Sequence, residues 1–203
     1  MTLSSEDAAV PDYLGLPLGE FLDRVASGEP APGGGSVAAI TVALAAGLSG
    51  MAARFSADHL VDAAELIERA ELLRRRVAPF AREDATAYGR VLAAYRTPDD
   101  GAPGARRGRI QAALSDAADV PLAVAEVGAA VAEVATRLAK EGNPNLRGDA
   151  VTAALLAEAG VRAAAVLVEI NAAAGGIAGE RPARAGELAA RAAGSARGAV
   201  KGG

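Results

Sequence analysis

Apolar residues recur at intervals of three and four along most of the chain, which is the spacing of one face of an α-helix. Two stretches are long enough for extended helices, from about Asp62 to Tyr95 and from about Ala105 to Lys140. Each contains one proline, Pro79 or Pro121, that is expected to kink it. In the first stretch the apolar positions are Leu73, Val77, Phe80, Tyr88, Val91 and Tyr95. We find no alternation of apolar and polar residues typical of strands.

Four further helices are predicted between segments rich in glycine and proline. The first is a short helix that starts at Pro17, with Leu18, Phe21, Leu22 and Val25 on one face. The others run from Ser36 to about Arg54, from Asp149 to about Asn171, and from about Pro182 to Val200. Ser36 and Asp149 are interpreted as N-caps. The sequence therefore predicts an all-α bundle of about six helices, two of them long and proline-kinked. Residues 17–203 form a single domain in this prediction, and residues 1–16 a disordered tail.

The composition narrows the choice of fold and partner. Hydrophobic residues make up 51% of the chain, but about half of them are alanine, and aromatic residues account for only 3%. Alanine favours helices, whereas β-sandwiches need β-branched and aromatic residues. A monomer built from such small side chains would bury a thin core, so we expect a homodimer whose long helices supply the missing apolar area.

Charge and residue types exclude several kinds of function. A net charge of −4 argues against nucleic acid as the main partner. The longest apolar stretch, residues 37–51, is short for a membrane span, and the first residues do not resemble a signal peptide. A cytoplasmic protein without a membrane partner is expected. With no cysteine and one histidine, the chain can form neither a thiolate metal site nor a His-rich one.

Asp84 is the most informative residue of the chain. It lies midway between Phe80 and Tyr88, and so in the apolar stripe of its predicted helix. Desolvation raises the pKa of a carboxyl group, which suits a general acid or base near neutral pH. The alternative is a buried ion pair between Asp84 and an arginine such as Arg54 or Arg82.

Two loops contain groups that could bind a polar ligand. Gly33, Gly34 and Gly35 precede the helix of Ser36 and would expose backbone N–H groups at its start. They match neither a Walker A loop nor a dinucleotide fingerprint, and a flexible turn is the alternative. Asn143 and Asn145 could hydrogen-bond the polar edge of a heterocycle, or could simply form turns.

Taken in order, these segments resemble the cyclodeaminase/cyclohydrolase family. The resemblance rests on Leu18-Gly-Glu-Phe-Leu-Asp23, Pro30-Ala-Pro-Gly-Gly-Gly-Ser-Val-Ala-Ala39, Asp84-Ala-Thr-Ala-Tyr88, Val120-Pro-Leu and Gly142-Asn-Pro-Asn145. It implies an all-α dimeric domain with Asp84 as the catalytic residue. It also implies a substrate-binding set comprising Gly33, Gly34, Gly35, Ser36, Asn143, Asn145, Asp149 and Asn171.

The resemblance implies chemistry at the N5–N10 bridge of tetrahydrofolate, either formimino cyclodeamination or methenyl cyclohydrolysis, with a folate as the substrate. It also implies that no metal and no cofactor is required. The chain departs from the family where basic residues are expected, since Asp99 replaces a lysine and residues 55–60 carry no Lys or Arg. Arg96, Arg106, Arg107 and Arg147 are candidate replacements. Two alternatives remain at this point. One is a C–N hydrolase or cyclase of the same fold acting on a non-folate molecule, and the other is a dimeric helical scaffold that has lost its activity.

Overall fold

The computed structural model describes residues 10–98, 104–176 and 179–202, and within these ranges it contains helices and no strand. The α-helices are α1 (Leu18–Val25), α2 (Gly34–Arg54), α3 (Ala63–Val77), α4 (Phe80–Arg96), α5 (Ala105–Ala117), α6 (Asp119–Glu141), α7 (Arg147–Gly175) and α8 (Glu180–Lys201). Two short 3-10 helices span Tyr13–Gly15 and Pro144–Leu146. The predicted all-α bundle is confirmed.

The two helices predicted to be kinked are each divided into two. The first breaks at Ala78 and Pro79, between α3 and α4, because a proline cannot donate the backbone hydrogen bond that would continue the helix. The second breaks at Ala118, three residues before Pro121. Pro121 therefore lies in the first turn of α6. Because backbone N–H groups in the first turn have no hydrogen-bond partner within the helix, a proline there costs no hydrogen bond. Counting each divided pair as one helix gives the six that the sequence predicts.

The predicted tail is wrong for its last residues. Asp12 accepts a hydrogen bond from the backbone N–H of Leu14, which caps the first 3-10 helix. Tyr13 is buried, and its ring meets the edge of Phe21 with the centroids 5.8 Å apart. This contact between two of the few aromatic side chains holds residues 12–16 on the domain, whereas residues 1–9 lie outside the described ranges.

Helix α2 crosses the middle of the bundle and packs against α3, α4, α6 and α7. Val42 is fully buried at the crossing, where Gly128 of α6 and Gly160 of α7 approach it. A Cβ atom on Gly160 would stand 2.6 Å from a methyl carbon of Val42. The small residues of these helices therefore allow three backbones to approach closely around one valine.

Two segments, Gly34–Arg54 and Pro144–Gly175, are long and apolar enough to cross a membrane when judged by length and composition alone. Of their most apolar windows, 56% and 44% are buried inside the fold. Burial of this kind is what the central helices of a soluble bundle show, so the apolarity of α2 and α7 is explained in part by the core. The remainder of each helix faces outward.

Candidate active site

A cavity of about 310 Å³ lies where the start of α2 meets α4, the end of α5 and the last turns of α7. Asp84 of α4 lies in its wall together with the glycine loop. The lining residues are Pro30, Ala31, Gly33, Gly34, Gly35, Asp84, Ala85, Tyr88, Ala117, Leu167, Ile170 and Asn171. Five of the predicted site residues thus surround one space.

The carboxyl group of Asp84 lies directly against the backbone of Gly35. A Cβ atom on Gly35 would overlap all three carboxyl atoms, so no other residue fits at this position without moving Asp84. Gly33 and Gly34 differ, since the nearest atoms to a Cβ there would be 3.9 Å and 4.0 Å away. Packing therefore requires glycine only at Gly35, while at Gly33 and Gly34 the missing side chain keeps the cavity open.

Ser36 lies beneath the carboxyl group of Asp84 and is fully buried. Its hydroxyl donates to the backbone oxygen of Ala81 at 2.7 Å and lies 3.4 Å from Oδ2 of Asp84. Because a hydroxyl has one proton, the shorter bond uses it, and Oγ remains free to accept a proton from Asp84. The interpretation of Ser36 as the N-cap is wrong, because α2 begins two residues earlier and Gly33 is its N-cap.

Two opposed influences act on the acidity of Asp84. Burial raises the pKa of its carboxyl above the ordinary value, and the hydrogen bond from the backbone N–H of Ser36 lowers it to a smaller extent. The alternative of a buried ion pair is contradicted in the described ranges. Arg54 pairs with Glu71 at 2.8 Å, and Arg82 is exposed on the surface of α4. The raised pKa makes Asp84 able to hold or release a proton closer to neutral pH.

The remaining walls combine one polar group with apolar surface. Nδ2 of Asn171 donates to the backbone oxygen of Ala117 at 3.1 Å, which leaves Oδ1 as an acceptor. Tyr88, Leu167 and Ile170 form the apolar walls, and Tyr88 is 44% exposed. We did not predict these three as site residues. The sequence signal that points to Tyr88 as a site residue is its position one helical turn after Asp84, on the same face of the helix.

The loop that precedes α7 lies at the opposite end of that helix from the cavity of Asp84. Nδ2 of Asn143 donates to the backbone oxygen of Phe55 at 2.9 Å, and its Oδ1 accepts the N–H of Asn145 at 3.0 Å. Asp149 is in the first turn of α7 and Asn171 is near its end, so about 33 Å of helix separates them. The expectation that Asn143, Asn145 and Asp149 join Asp84 in one cleft is therefore wrong within a single chain.

The N-cap interpretation of Asp149 is also wrong, because α7 begins at Arg147 and its N-cap is Leu146. The 3-10 turn of Pro144–Leu146 leads directly into the helix, which places Asp149 third in the helix. There a carboxylate is favoured by the helix dipole rather than by capping.

A second and larger cavity, about 720 Å³, lies on the other side of α4. Tyr13, Arg82, Arg90 and Asp116 are among its lining residues, and none of the predicted site residues is. The described residues also hold no cluster of three or more histidine, aspartate or glutamate side chains that could bind a metal ion. Of these two cavities, that of Asp84 is the one lined by predicted site residues.

Comparison with known proteins identifies close relatives. Residues 17–176 match the family described as formiminotransferase-cyclodeaminase. The chain is 39% identical over 160 residues to a protein of Methylorubrum extorquens named methenyltetrahydrofolate cyclohydrolase, covering 75% of this chain and 77% of that one. It is 35% identical over 164 residues to the formimidoyltransferase-cyclodeaminase of Sus scrofa, covering 76% of this chain but only 30% of the larger protein.

A solved structure has the same fold. The crystal structure of formiminotetrahydrofolate cyclodeaminase from Thermotoga maritima superposes with a TM-score of 0.81 at 31% identity, covering 93% of this chain and 96% of that one. The similarity thus extends over nearly the whole chain.

Proposed function

Because the chain belongs to the formiminotransferase-cyclodeaminase family, we propose that it acts on the one-carbon bridge between N5 and N10 of tetrahydrofolate. The reaction favoured here is hydrolysis of 5,10-methenyltetrahydrofolate to a formyltetrahydrofolate. The observation that carries this proposal is a carboxyl group of raised pKa, without an ion-pair partner in the described residues, in the wall of a cavity of ligand size. The relative named as a cyclohydrolase supports the choice of reaction.

Asp84 serves first as a base and then as an acid in this mechanism. The methenyl carbon and its two nitrogens share one positive charge, which a nearby carboxylate stabilises. Water adds to that carbon while the Asp84 carboxylate takes one of its protons, giving a neutral carbinol. Asp84 then returns the proton to N5 as the bond from the carbon to N5 breaks. Loss of the hydroxyl proton leaves the formyl group on N10, so that one water is consumed and one proton released overall.

The other lining groups suit the shape of such a substrate. The apolar walls formed by Tyr88, Leu167 and Ile170 can pack against flat rings. The backbone of Gly33 and Gly34 and the free Oδ1 of Asn171 supply polar groups for the edge of a heterocycle. A glycine-lined approach also lets the ligand come close to the carboxyl group of Asp84.

A separate basic groove lies further along α7 and suits the carboxylates of a folate glutamate tail. It has a volume of about 490 Å³, and Arg106 and Arg107 of α5 face Ala174 of α7 across it. One face of α7 carries Leu167, Asn171 and Ala174, which are four and three residues apart. Because a helix rises about 1.5 Å per residue, the groove at Ala174 begins about 10 Å beyond Leu167. The two sites thus follow one another along the same helix.

Among the four candidate replacements for the missing lysines, this position favours Arg106 and Arg107. Arg106 donates to the backbone oxygen of Tyr95 at 3.0 Å, and Arg107 has no ion pair within the described ranges. Both lie in the first turn of α5, where the helix dipole disfavours cations, so helix stability does not explain them. Arg147 donates to the backbone oxygens of Ala199 and Val200 near the opposite end of α7.

The second candidate reaction is cyclodeamination of formiminotetrahydrofolate, which the match to a solved cyclodeaminase favours. In that reaction N10 attacks the formimino carbon, and the departing nitrogen needs a proton to leave as ammonia. A carboxyl group whose pKa is raised is protonated in a larger fraction of molecules, and Asp84 could supply that proton.

Spectroscopy separates these reactions from the remaining alternatives. Purified protein is mixed with methenyltetrahydrofolate and, separately, with formiminotetrahydrofolate, and the absorbance of the methenyl group is followed. A fall in the first mixture faster than in buffer identifies a cyclohydrolase, and a rise in the second a cyclodeaminase. No change in either mixture would refute the proposed function and favour the inactive scaffold or a non-folate substrate.

A further inference from the structure

The break between α5 and α6 forms one wall of the cavity of Asp84. It falls at Ala118, and the residue before it, Ala117, lines the cavity. Ala117 is buried and clusters with Ala87 and Val91 of α4, the helix that carries Asp84. The last carbonyl groups of a helix have no partner within that helix and need donors from elsewhere. The groups that supply these donors therefore decide how this wall is held.

The carbonyl oxygen of Ala117 receives its hydrogen bond from a side chain of the site. In a continuous helix the residue four positions later would donate to this oxygen, but that residue is Pro121, which has no N–H. Nδ2 of Asn171 donates to it instead, at 3.1 Å. Because Nδ2 is used in this bond, Oδ1 is the atom of the amide that remains for a ligand. The orientation of Asn171 in the cavity thus depends on the position of the Ala117 carbonyl.

The side chain of Arg181, in the first turn of α8, bridges the two sides of the break. Its Nη1 donates to the backbone oxygen of Ser115 at 3.0 Å and to the hydroxyl of Ser115 at 2.9 Å. Its Nε lies 3.0 Å from Oδ1 of Asp119. The end of α5 favours a positive charge and the start of α6 a negative one, and α5 has no basic residue in its own last turn. Arg181 therefore supplies from α8 the cation that ties the two helix ends together.

Stability alone does not account for this arrangement. Helix α8 is anchored by apolar side chains that are almost completely buried, among them Ala185, Leu188 and Ala192. The side chains of Arg181 and Asp119 are 36% and 55% exposed, and ion pairs exposed to that extent contribute little to stability. Three contacts made by one planar guanidinium group instead fix the relative position of the groups that they join.

We propose that Arg181 is a positioning residue of the site: it fixes the break between α5 and α6, so that the Ala117 carbonyl holds Asn171 with Oδ1 ready to accept from an N–H group of the substrate. The inference rests on the proposed function, in which the substrate carries a heterocycle with such donors. Asp84 is held from another side, by the backbone of Ser36. Arg181 therefore acts on substrate binding and not on proton transfer.

A double-mutant cycle tests whether Arg181 acts through Asn171. Arg181→Ala should raise KM for methenyltetrahydrofolate about fivefold and change kcat less than about twofold, the size of effect expected from one weakened hydrogen bond to the substrate. Asn171→Ala should raise KM about tenfold, and the double variant should match Asn171→Ala, because the group that Arg181 positions is then absent. An unchanged KM in Arg181→Ala, or a KM in the double variant raised by the product of the two single effects, would overturn the proposal.

Two further variants separate positioning from charge and from general effects on α8. Arg184→Ala is the matched control, because Arg184 pairs at 3.3 Å with Glu187 of the same helix, and it should leave both KM and kcat unchanged. Arg181→Lys keeps the positive charge but loses the planar fork, so it should still raise KM about threefold. A KM in Arg181→Lys equal to that of the unaltered protein would show that charge alone is needed and would overturn the positioning role.

Nuclear magnetic resonance tests the same inference without any substrate. The chain has three asparagines and one glutamine, so its spectrum contains only four side-chain NH₂ groups, and Asn171→Ala identifies the signal of Asn171 by its loss. The NH₂ group of Asn171 should exchange with water about fivefold faster in Arg181→Ala than in the unaltered protein or in Arg184→Ala. Equal exchange in all three would overturn the proposal. An unaltered protein that is inactive on both folates would instead refute the proposed function, while the exchange rates would still decide whether Arg181 positions Asn171.

Discussion

Replacing Asp84 with asparagine removes the proton-transferring group while keeping the packing around it. The carbonyl oxygen of the new side chain can still accept from the backbone of Ser36. Its NH₂ group can donate to Oγ of Ser36, whose own proton is used in the 2.7 Å bond to Ala81. The substitution therefore resembles the protonated form of Asp84. Turnover should fall by about 100- to 10,000-fold, the usual effect of losing a general acid or base, which corresponds to about 3–5.5 kcal/mol of the activation barrier.

The same variant separates catalysis from a structural role. Because burial of the charged carboxylate is unfavourable, Asp84→Asn should melt at the same temperature as the unaltered protein or at a higher one at pH 7. Loss of one member of a buried ion pair would instead cost about 3–5 kcal/mol of stability. The assay combines the initial rate of loss of methenyl absorbance with a melting curve, and Glu83→Gln, an exposed neighbour on α4, serves as the control. A large fall in melting temperature with normal activity per folded molecule would refute the reasoning.

Three further predictions follow from the geometry of the site. Gly34→Val should weaken substrate binding and raise KM about tenfold, because the valine side chain would project into the open space of the cavity. Its melting temperature should change little, because a Cβ atom at this position meets no protein atom closer than 4.0 Å. Gly35→Ala should lower turnover as well, because it displaces the carboxyl group of Asp84. The pKa of Asp84 is raised on folding, so its contribution to stability falls as the pH rises from about 3.8 through the folded pKa. The gain in melting temperature of Asp84→Asn should accordingly grow over that range and then level off. Arg107→Ala should raise KM about fivefold for methenyltetrahydrofolate, but not for a methenyltetrahydrofolate analogue that lacks the glutamate tail. The control Arg75→Ala on α3 should leave KM for both substrates unchanged. An equal change of KM for both substrates would exclude contact with the tail.

Local patterns predicted most of the helices and the central residue of the site. Glycine and proline mark the ends of the helices, and the spacing of apolar residues around Asp84 predicted its partial burial. The position of Ser36 shows the limit of such reasoning. Serine before an apolar run is typical of an N-cap, but the two preceding glycines adopt helical conformation, and the burial of Ser36 is decided by contact with α4.

The asparagine loop before α7 shows that the order of residues along a chain does not determine which of them meet in space. A helix from Asp149 to Asn171 is about 33 Å long, so its two ends cannot meet in one chain, although the family resemblance implies that both belong to one site. Helix α2 is similar. Periodicity predicts a helix with an apolar face, but only the packing of α3, α6 and α7 decides which apolar residues remain exposed. Tertiary contacts, and not local spacing, thus determine which residues meet at the cavity of Asp84.

The most direct test of the central claim is the rate of loss of methenyl absorbance at neutral pH with three samples: the unaltered protein, Asp84→Asn and buffer. We predict that the unaltered protein hydrolyses methenyltetrahydrofolate well above the rate in buffer, and that Asp84→Asn, though fully folded, is slower by a factor of at least 100. Equal rates with the unaltered protein and with folded Asp84→Asn would contradict the assignment of Asp84 as the group that transfers the proton.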